Sequence, residues 1–254
     1  MILDPDARRR LATTTRFTAI ELLEVTDSTN RVVAERAAAG AAEGLVVVAD
    51  VQTAGRGRLD RSWEAQPGAA LLVSVVLRPA DLPASRWHLL TAATGLAAVE
   101  ACVEVGGFTP DLKWPNDLLA GDCKLAGILA ETSGGGVVVG MGLNVHGAPP
   151  GAAWADAEAG RRLDRAALLV ASLTALDGLL GGGWDRLAAV YRAACATVGR
   201  QVRVQMGDTA LVGWAAGIDD DGRLVVVPVG GGPPVTVSAG DVTHLRPAGE
   251  AGGS

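Results

Sequence analysis

Three arginines and two glycines occur within the segment 52–63, which has the sequence QTAGRGRLDRSW and follows a predicted buried strand at 45–49. Glycines at 55 and 57 allow a tight turn and a close approach of the backbone to a ligand. Arg56, Arg58 and Arg61 carry the side chain that best matches the geometry of phosphate oxygens. The segment is therefore predicted to be a lid over an anion, although glycine and arginine also occur together in plain exposed turns.

The loop does not fit two common phosphate-binding motifs. Gly55 and Gly57 match the first glycines of a dinucleotide-binding fingerprint, but Asp60 stands where the third glycine belongs. No Lys-Ser or Lys-Thr pair follows, as a P-loop would require. An anion site would therefore need residues from other parts of the chain.

A predicted helix at 31–39 supplies one such group of residues. It is preceded by Asp27-Ser28-Thr29-Asn30 and followed by Gly40, a pattern typical of a capped helix. The polar residues could serve only as caps, but the free N–H groups of a helix N-terminus can also hold a ligand.

A predicted hairpin supplies the second group. Residues 112–117 (LKWPND) start a strand region, in which Pro115 marks an edge, a bulge or a strand end. Gly121-Asp122 is predicted to form a turn, and residues 124–131 the returning strand. Because a hairpin brings its strands side by side, Asp117 and Lys124 are expected to face one cleft.

The order of elements predicts two domains. The first, residues 1–198, combines strands near 17–25, 71–77 and 137–145 with helices at 87–105, 165–180 and 184–196. Residues 1–15 are expected to be a poorly ordered or loosely packed lead-in, and 147–160 a loop of low helical content. In the second, residues 199–254, short strands near 202–204, 211–216, 224–229 and 235–237 predict a small β-barrel or sandwich, with a frayed tail at 249–254.

Composition limits the possible partners. The 254 residues carry 22 Lys and Arg against 28 Asp and Glu, a net charge of -6, with 49% hydrophobic residues. An acidic globular chain is a poor candidate for general nucleic-acid binding, so the basic loop suits a small anion.

The cysteines and histidines predict no metal site. The cysteines are widely spaced and are expected to be reduced thiols of a cytoplasmic protein: Cys102, Cys123 and Cys195. The histidines are scattered, and metal ligands remain unknown: His88, His146 and His244. No apolar run is expected to approach the roughly 20 residues of a membrane span, and residues 1–10 lack a signal-peptide core.

In order and spacing, the segments 27–30, 52–58, 113–117, 124–129 and 140–144 resemble those of the biotin–protein ligases. The most specific are Lys-Trp-Pro-Asn-Asp and Lys-x-x-Gly-Ile-Leu, and the resemblance extends from about residue 17 to 245. It implies an α+β fold, with a mixed-sheet catalytic domain of the biotin/lipoate ligase type and a small SH3-like β-barrel. It also implies a reaction in which ATP, accompanied by Mg²⁺, converts biotin to biotinyl-AMP. Biotin then passes to a lysine of the biotin carboxyl carrier domain of a biotin-dependent carboxylase.

The resemblance implies a role for each matching residue. The biotin rings would be held by Ser28, Thr29, Asn30 and Gln52, and the lid would include Arg56, Gly57, Arg58 and Trp63. Lys124 would bridge the biotin carboxylate and the phosphate, and Asp117 would orient or deprotonate the acceptor lysine. Asn144 matches a residue near adenine. The motifs add further binding residues: Lys113, Asn116 and Gly127. Lys113 and the tryptophans could equally be structural.

General chemistry supports these roles. Cations are needed where a carboxylate and a triphosphate meet, and hydroxyl and amide groups suit a urea. An acyl adenylate hydrolyses easily, which gives a lid that excludes water a purpose.

The sequence departs from the family pattern in two places, and two rival functions remain open. With a first strand near residue 17, no space is expected for the helix-turn-helix of some family members, and hence no DNA binding. Leu59-Asp60 replaces the basic residue or glycine of many members, which leaves lid dynamics open. The rivals are a lipoate or octanoate ligase or transferase of the same fold, and a non-enzymatic nucleotide- or DNA-binding module.

Overall fold

The computed structural model describes residues 3–245, and a seven-stranded sheet forms its larger part. In chain order its strands are β1 (Ala19–Thr26), β2 (Leu45–Gln52), β3 (Ala70–Leu77), β4 (Asp111–Lys113), β5 (Asp117–Ala120), β6 (Cys123–Ser133) and β7 (Gly136–Asn144). Their spatial order is β1-β2-β3-β7-β6-β5-β4. Strands β1 and β2 are parallel and the other neighbours are antiparallel. The predicted mixed sheet is confirmed.

Six α-helices accompany the sheet in the described part of the chain. They are α1 (Pro5–Thr14), α2 (Thr29–Ala38), α3 (His88–Ala101), α4 (Ala155–Ala159), α5 (Arg165–Gly181) and α6 (Trp184–Ala194). The long helix predicted at 87–105 continues from α3 as a π-helical turn, Cys102–Gly106. A single turn of helix, α4, interrupts the loop predicted at 147–160.

The prediction that residues 1–15 form a poorly ordered or loosely packed lead-in is wrong for α1, which is a regular helix with a buried face. Asp4 caps this helix by accepting a hydrogen bond from the Asp6 N–H, and Pro5 occupies its first position. Proline is favoured there because its missing N–H would have no partner in the helix. Leu11 is buried in the main core, so tertiary packing holds the helix in place.

The two faces of the sheet differ in what covers them. Alternate residues of β3, such as Val73 and Val75, join the large core that α3 and α5 cover. Val76 of β3 belongs instead to a small core under α2. Because successive side chains of a strand point to opposite faces, Ser74 also lies on the α2 face. The polar residues that form the candidate site lie on this less covered face.

One helical stretch, 84–106, is long and apolar enough to cross a membrane by length and composition. The expectation that no apolar run reaches this length is therefore wrong. Its most apolar window is 67% buried inside the protein, and α3 packs against α5, α6 and the sheet. Burial on this scale is typical of the core helix of a globular domain.

A five-stranded antiparallel sheet follows the predicted boundary at residue 198. Its strands are β8 (Gln201–Met206), β9 (Thr209–Ile218), β10 (Leu224–Pro228), β11 (Val235–Val237) and β12 (Asp241–His244), in the order β11-β10-β9-β8-β12. The sequence patterns did not predict β12. Closure into an SH3-like barrel stays a prediction, and the tail at 249–254 lies outside the described residues. The Trp114 indole N–H donates to the Gly222 carbonyl at 3.0 Å, which ties the two sheets together.

Candidate active site

Glycines form a flat floor on the α2 face of the seven-stranded sheet. Gly127 of β6 pairs with Gly142 of β7, and Gly140 lies opposite Leu129. A Cβ atom at position 140 would lie 2.0 Å from Asn30 Oδ1, and one at 142 would lie 2.3 Å from Trp63 Cε2. Both contacts are far too short, so glycine is required for these side chains to lie against the sheet.

A chain of buried polar groups lines one end of this floor. Gln52 Oε1 accepts from the Thr29 N–H at 2.8 Å and from Thr29 Oγ1 at 2.9 Å. Ser74 Oγ lies 2.7 Å from Thr29 Oγ1 and 2.6 Å from Asn30 Oδ1. Thr29 and Asn30 are each only 4% exposed, since the first turn of α2 presses them against β3 and β7. Their bonds fix the N-terminus of α2 and the Gln52 side chain relative to each other.

The predicted meeting of Asp117 and Lys124 is confirmed. Their Oδ1 and Nζ atoms lie 2.7 Å apart, in an ion pair that lacks the angles of a hydrogen bond. The pairing of β5 with β6 shifts so that Leu125 has no partner between Lys124 and Ala126, which is a β-bulge. A bulge bends its strand and redirects side chains. Here the Lys124 side chain lies over Gly127, where a Cβ would be 3.1 Å from its Nζ.

The basic loop forms a short hairpin, which we call the lid (residues 55–63). The Trp63 N–H donates to the Gly55 carbonyl at 2.9 Å, and the Gly57 N–H donates to the Arg61 carbonyl at 2.6 Å. At the tip, Leu59 and Asp60 both have positive φ, at 56° and 57°. This is the conformation of a type I′ turn, which normally takes Asn-Gly.

Each lid arginine has a partner in the structure. Arg56 Nη2 lies 2.7 Å from Glu131 Oε2, and Arg61 Nη2 lies 2.5 Å from Asp241 Oδ2. Arg58 donates to Asn116 Oδ1 at 3.0 Å and to the Gly240 carbonyl at 3.2 Å. All three lid arginines are therefore held by contacts with other residues of the protein.

The pKa values of Arg58 and Arg61 shift in opposite directions. The hydrogen bond and charge of Asp241 raise the pKa of Arg61, and the same bond lowers the pKa of Asp241. Burial lowers the pKa of Arg58, which the charges of Asp117 and Asp241 partly offset. A cation that is partly withdrawn from water interacts strongly with an anion that arrives beside it.

Trp63, the last residue of the lid, covers the glycine floor with its ring. Besides its contact at Gly142, its ring lies 5.9 Å from Lys124 Nζ, within the range of a cation–π contact. Its buried indole N–H has no hydrogen-bond partner in the structure. Trp63 is thus both a packing residue and a wall of the site.

These elements enclose a cavity of about 110 Å³. The predicted site residues that line it are Thr29, Asn30, Gln52, Arg56, Gly57, Arg58, Trp63, Asn116, Asp117, Lys124 and Gly127. Three predicted binding residues do not line it: Ser28, Lys113 and Asn144. Ser28 is the N-cap residue of α2, and Lys113 lies on β4. The cavity is also lined by Arg61, which the sequence placed in the basic loop, and by Asp241, which sequence reasoning did not assign to the site.

Comparison with known proteins decides the family. The sequence profile of the "Biotin/lipoate A/B protein ligase family" matches residues 22–147, and that of the "Biotin protein ligase C terminal domain" matches 197–245. A biotin–[acetyl-CoA-carboxylase] ligase of Mycobacterium tuberculosis is 42% identical over 242 residues, 89% of each chain. This chain belongs to the biotin protein ligase family.

Two further relatives support that membership. The bifunctional ligase/repressor BirA of Escherichia coli is 32% identical over 230 residues, 82% of this chain and 69% of that protein. The structure of a biotin protein ligase from Aquifex aeolicus in complex with biotin and ATP has a TM-score of 0.78 and 26% identity. That match covers 91% of this chain and all of the other.

Asn144, the residue that the family resemblance placed near adenine, lies just outside the cavity. Its Nδ2 donates to the Ala153 carbonyl at 3.0 Å, and its buried Oδ1 has no partner in the structure. The Ala153 N–H in turn donates to the Lys124 carbonyl at 3.0 Å. Asn144 therefore connects the loop after β7 to the strand that carries Lys124.

The tip of the lid offers a test of its mobility. Replacing Leu59-Asp60 by Asn-Gly, as Leu59→Asn/Asp60→Gly, should stabilise the type I′ turn by about 1 kcal/mol, because Leu disfavours positive φ. We expect limited proteolysis within the lid to slow about fivefold without ligand. Biotin with ATP should protect the unaltered lid in the same way. Equal cleavage of the unaltered lid with and without biotin and ATP would contradict a mobile lid.

The glycine floor offers a second test. Gly142→Ala would place a methyl group 2.3 Å from the Trp63 ring and force the lid away from the floor. The expected result is faster loss of bound biotinyl-AMP, by roughly tenfold, as expected for loss of about 1.4 kcal/mol of binding energy. Gly178→Ala in α5 is the control, because no atom lies within 4 Å of its added methyl group and alanine is favoured in a helix. If Gly142→Ala and the unaltered protein released biotinyl-AMP at equal rates, Trp63 would not retain this intermediate.

Proposed function

We propose that this chain activates biotin with ATP and transfers it to a lysine of a biotin carboxyl carrier domain. In the first step a biotin carboxylate oxygen attacks the α-phosphorus of ATP, and pyrophosphate leaves. In the second, the lysine amine attacks the acyl carbon of biotinyl-AMP, and AMP leaves. The observation that carries the proposal is the convergence of Lys124, Arg58 and Arg61 on one cavity beside Asp117.

The cations match the needs of the first step. Two anions repel each other as they approach, and fixed positive groups offset that repulsion without having to reorganise. Lys124 stands over the glycine floor, and Arg58 approaches from the lid above it. Thr29 and Gln52 supply the amide and hydroxyl groups that suit the ureido ring of biotin.

Mg²⁺ is proposed to arrive with ATP. Among the described residues there is no group of three or more His, Cys, Asp or Glu side chains that could hold a metal ion. Asp117 and Asp241 line the cavity, but each already faces a cation. This arrangement fits a Mg²⁺ ion held mainly by ATP phosphates, whose charge it would neutralise, with at most one or two carboxylates from the protein.

The acceptor and the compartment are also part of the proposal. The named relative from M. tuberculosis acts on acetyl-CoA carboxylase, which supports the carrier domain of a biotin-dependent carboxylase as acceptor. Cys102, Cys123 and Cys195 are free thiols, which is consistent with a reducing cytoplasm. The net charge of -6 supports a protein that does not bind DNA.

Pyrophosphate release by the purified chain tests the first step. We expect release that requires both ATP and biotin, with lipoate and octanoate at least 100-fold less effective. Addition of a carrier domain should then produce biotinylated lysine. Release with lipoate or octanoate in place of biotin would favour the rival function, and no release with any of the three acids would contradict adenylation.

A further inference from the structure

Glu131 on β6 connects the pocket floor to the lid. A single carboxylate oxygen, Oε2, accepts from Asn30 Nδ2 at 2.8 Å and from Arg56 Nη2 at 2.7 Å. Asn30 belongs to the buried polar chain under the pocket, and Arg56 belongs to the lid above it.

Asn30 is held so that it can anchor this carboxylate. Its Oδ1 lies 2.6 Å from Ser74 Oγ, and its Nδ2 also lies 3.3 Å from the Leu129 carbonyl. The absence of a side chain at Gly140 leaves the space that the amide occupies. Since every polar group of the Asn30 amide is used by the protein, its Nδ2 fixes Glu131 and is not a free donor for biotin.

Glu131 acts on the ligand only through other residues. Asn30 and Arg56 line the 110 Å³ cavity, whereas Glu131 does not. Glu131 lies instead in a neighbouring groove of about 270 Å³, beside Arg58 and Asn116. Only one of the five N–H donors of the Arg56 guanidinium is recorded on the carboxylate. The others can reach an anion in the cavity while this bond persists.

We infer that Glu131 is a positioning residue: it holds Arg56 of the lid over the pocket, and Asn30 fixes Glu131 in turn. The inference rests on the proposed function, and it assigns to Glu131 a part in retaining biotinyl-AMP. The carboxylate orients a flexible arginine before the anion arrives, so less entropy is lost when the lid closes. Glu131 takes no part in proton transfer or bond formation.

The test measures dissociation of preformed biotinyl-AMP from the full chain. Glu131→Gln keeps the shape of the side chain and removes its charge, and a charge-assisted hydrogen bond is about twice as strong as a neutral one. Because Arg56 and Glu131 are partly exposed, we expect dissociation to quicken only about three- to tenfold. In protein that already carries Arg56→Ala, the same substitution should have no further effect, since the residue on which Glu131 acts is gone.

Two controls separate this role from a merely structural one. Glu35→Gln removes a carboxylate from an exposed ion pair with Arg31 on α2, and dissociation should not change. The melting temperature of Glu131→Gln should stay within about 2 °C of the unaltered chain.

The outcomes are distinct. If the factor by which the double variant speeds dissociation of biotinyl-AMP equals the product of the factors for Glu131→Gln and Arg56→Ala alone, Glu131 does not act through Arg56. That result would overturn the inference. An unchanged dissociation rate in Glu131→Gln overturns it as well. If the unaltered chain neither forms nor binds biotinyl-AMP, it is the proposed function that fails.

Discussion

Lys124→Ala is expected to lower the rate of biotinyl-AMP formation by about 10²–10³, the usual cost of removing one charge-stabilising group from an active site. Lys124 is the lysine that lines the cavity, and its side chain lies over Gly127 beside Asp117. Without it, the two reacting anions would meet with only the lid arginines to offset their repulsion. Substitution would also leave Asp117 as an unopposed negative charge facing the phosphate.

Lys113→Ala provides the matched control. Lys113 is also a strand lysine of the same sheet, but it does not line the cavity. Its replacement should change the rate less than fivefold. Pyrophosphate release under saturating biotin and ATP measures both variants, and circular dichroism checks that they are folded. A folded Lys124→Ala protein with near-normal release would exclude the charge-stabilising role.

Local patterns in the sequence predicted the parts of the site that lie close together in the chain. Asp117 and Lys124 belong to one hairpin, so turn chemistry at Gly121 was enough to place them together. The loop at 52–63 was likewise evident from its glycines and arginines, and its role as a lid over an anion stays a prediction. Both features depend on a few residues that are close together in the sequence.

The site residues that the sequence patterns did not predict lie on strands that are distant in the chain. Glu131 was recognised only as the end of a strand, and its contacts with Asn30 and Arg56 span 101 and 75 residues. Asp241 lies on β12, a strand of four residues whose pattern is too short to be recognised. Ser28 matched a ligand motif; it occupies the N-cap position of α2 without a side-chain capping hydrogen bond and does not line the cavity, so its binding role stays a prediction.

The C-terminal sheet contributes directly to the site through Asp241. Its carboxylate holds Arg61, and the neighbouring Gly240 carbonyl accepts from Arg58. The lid therefore contacts both sheets, through Glu131 of the seven-stranded sheet and Asp241 of the five-stranded sheet. The C-terminal sheet thus supplies a wall of the cavity whose glycine floor and lysine belong to the larger sheet.

Asp117→Asn is expected to separate the two steps of the reaction. In the structure the Asp117 carboxylate pairs with Lys124. When Lys124 turns to the phosphate of biotinyl-AMP, that carboxylate becomes available to the acceptor lysine. A free lysine has a pKa of about 10.4 and is mostly protonated at neutral pH, so transfer requires a group that accepts its proton. Loss of a general base typically costs about 10²–10⁴, and we expect transfer to slow by about 10² at pH 7.

The pH dependence of transfer distinguishes this role from one in adenylation. As pH rises toward the pKa of the acceptor lysine, more amine is neutral without help, so the deficit of Asp117→Asn should shrink. Preformed biotinyl-AMP and a carrier domain are supplied to both proteins between pH 6.5 and 9.5, and pyrophosphate release is measured separately. Asp60→Asn, which removes an exposed lid carboxylate, is the control for the change in charge. A variant that transfers biotin at the normal rate but forms the adenylate slowly would assign Asp117 to the first step, where its pairing would orient Lys124.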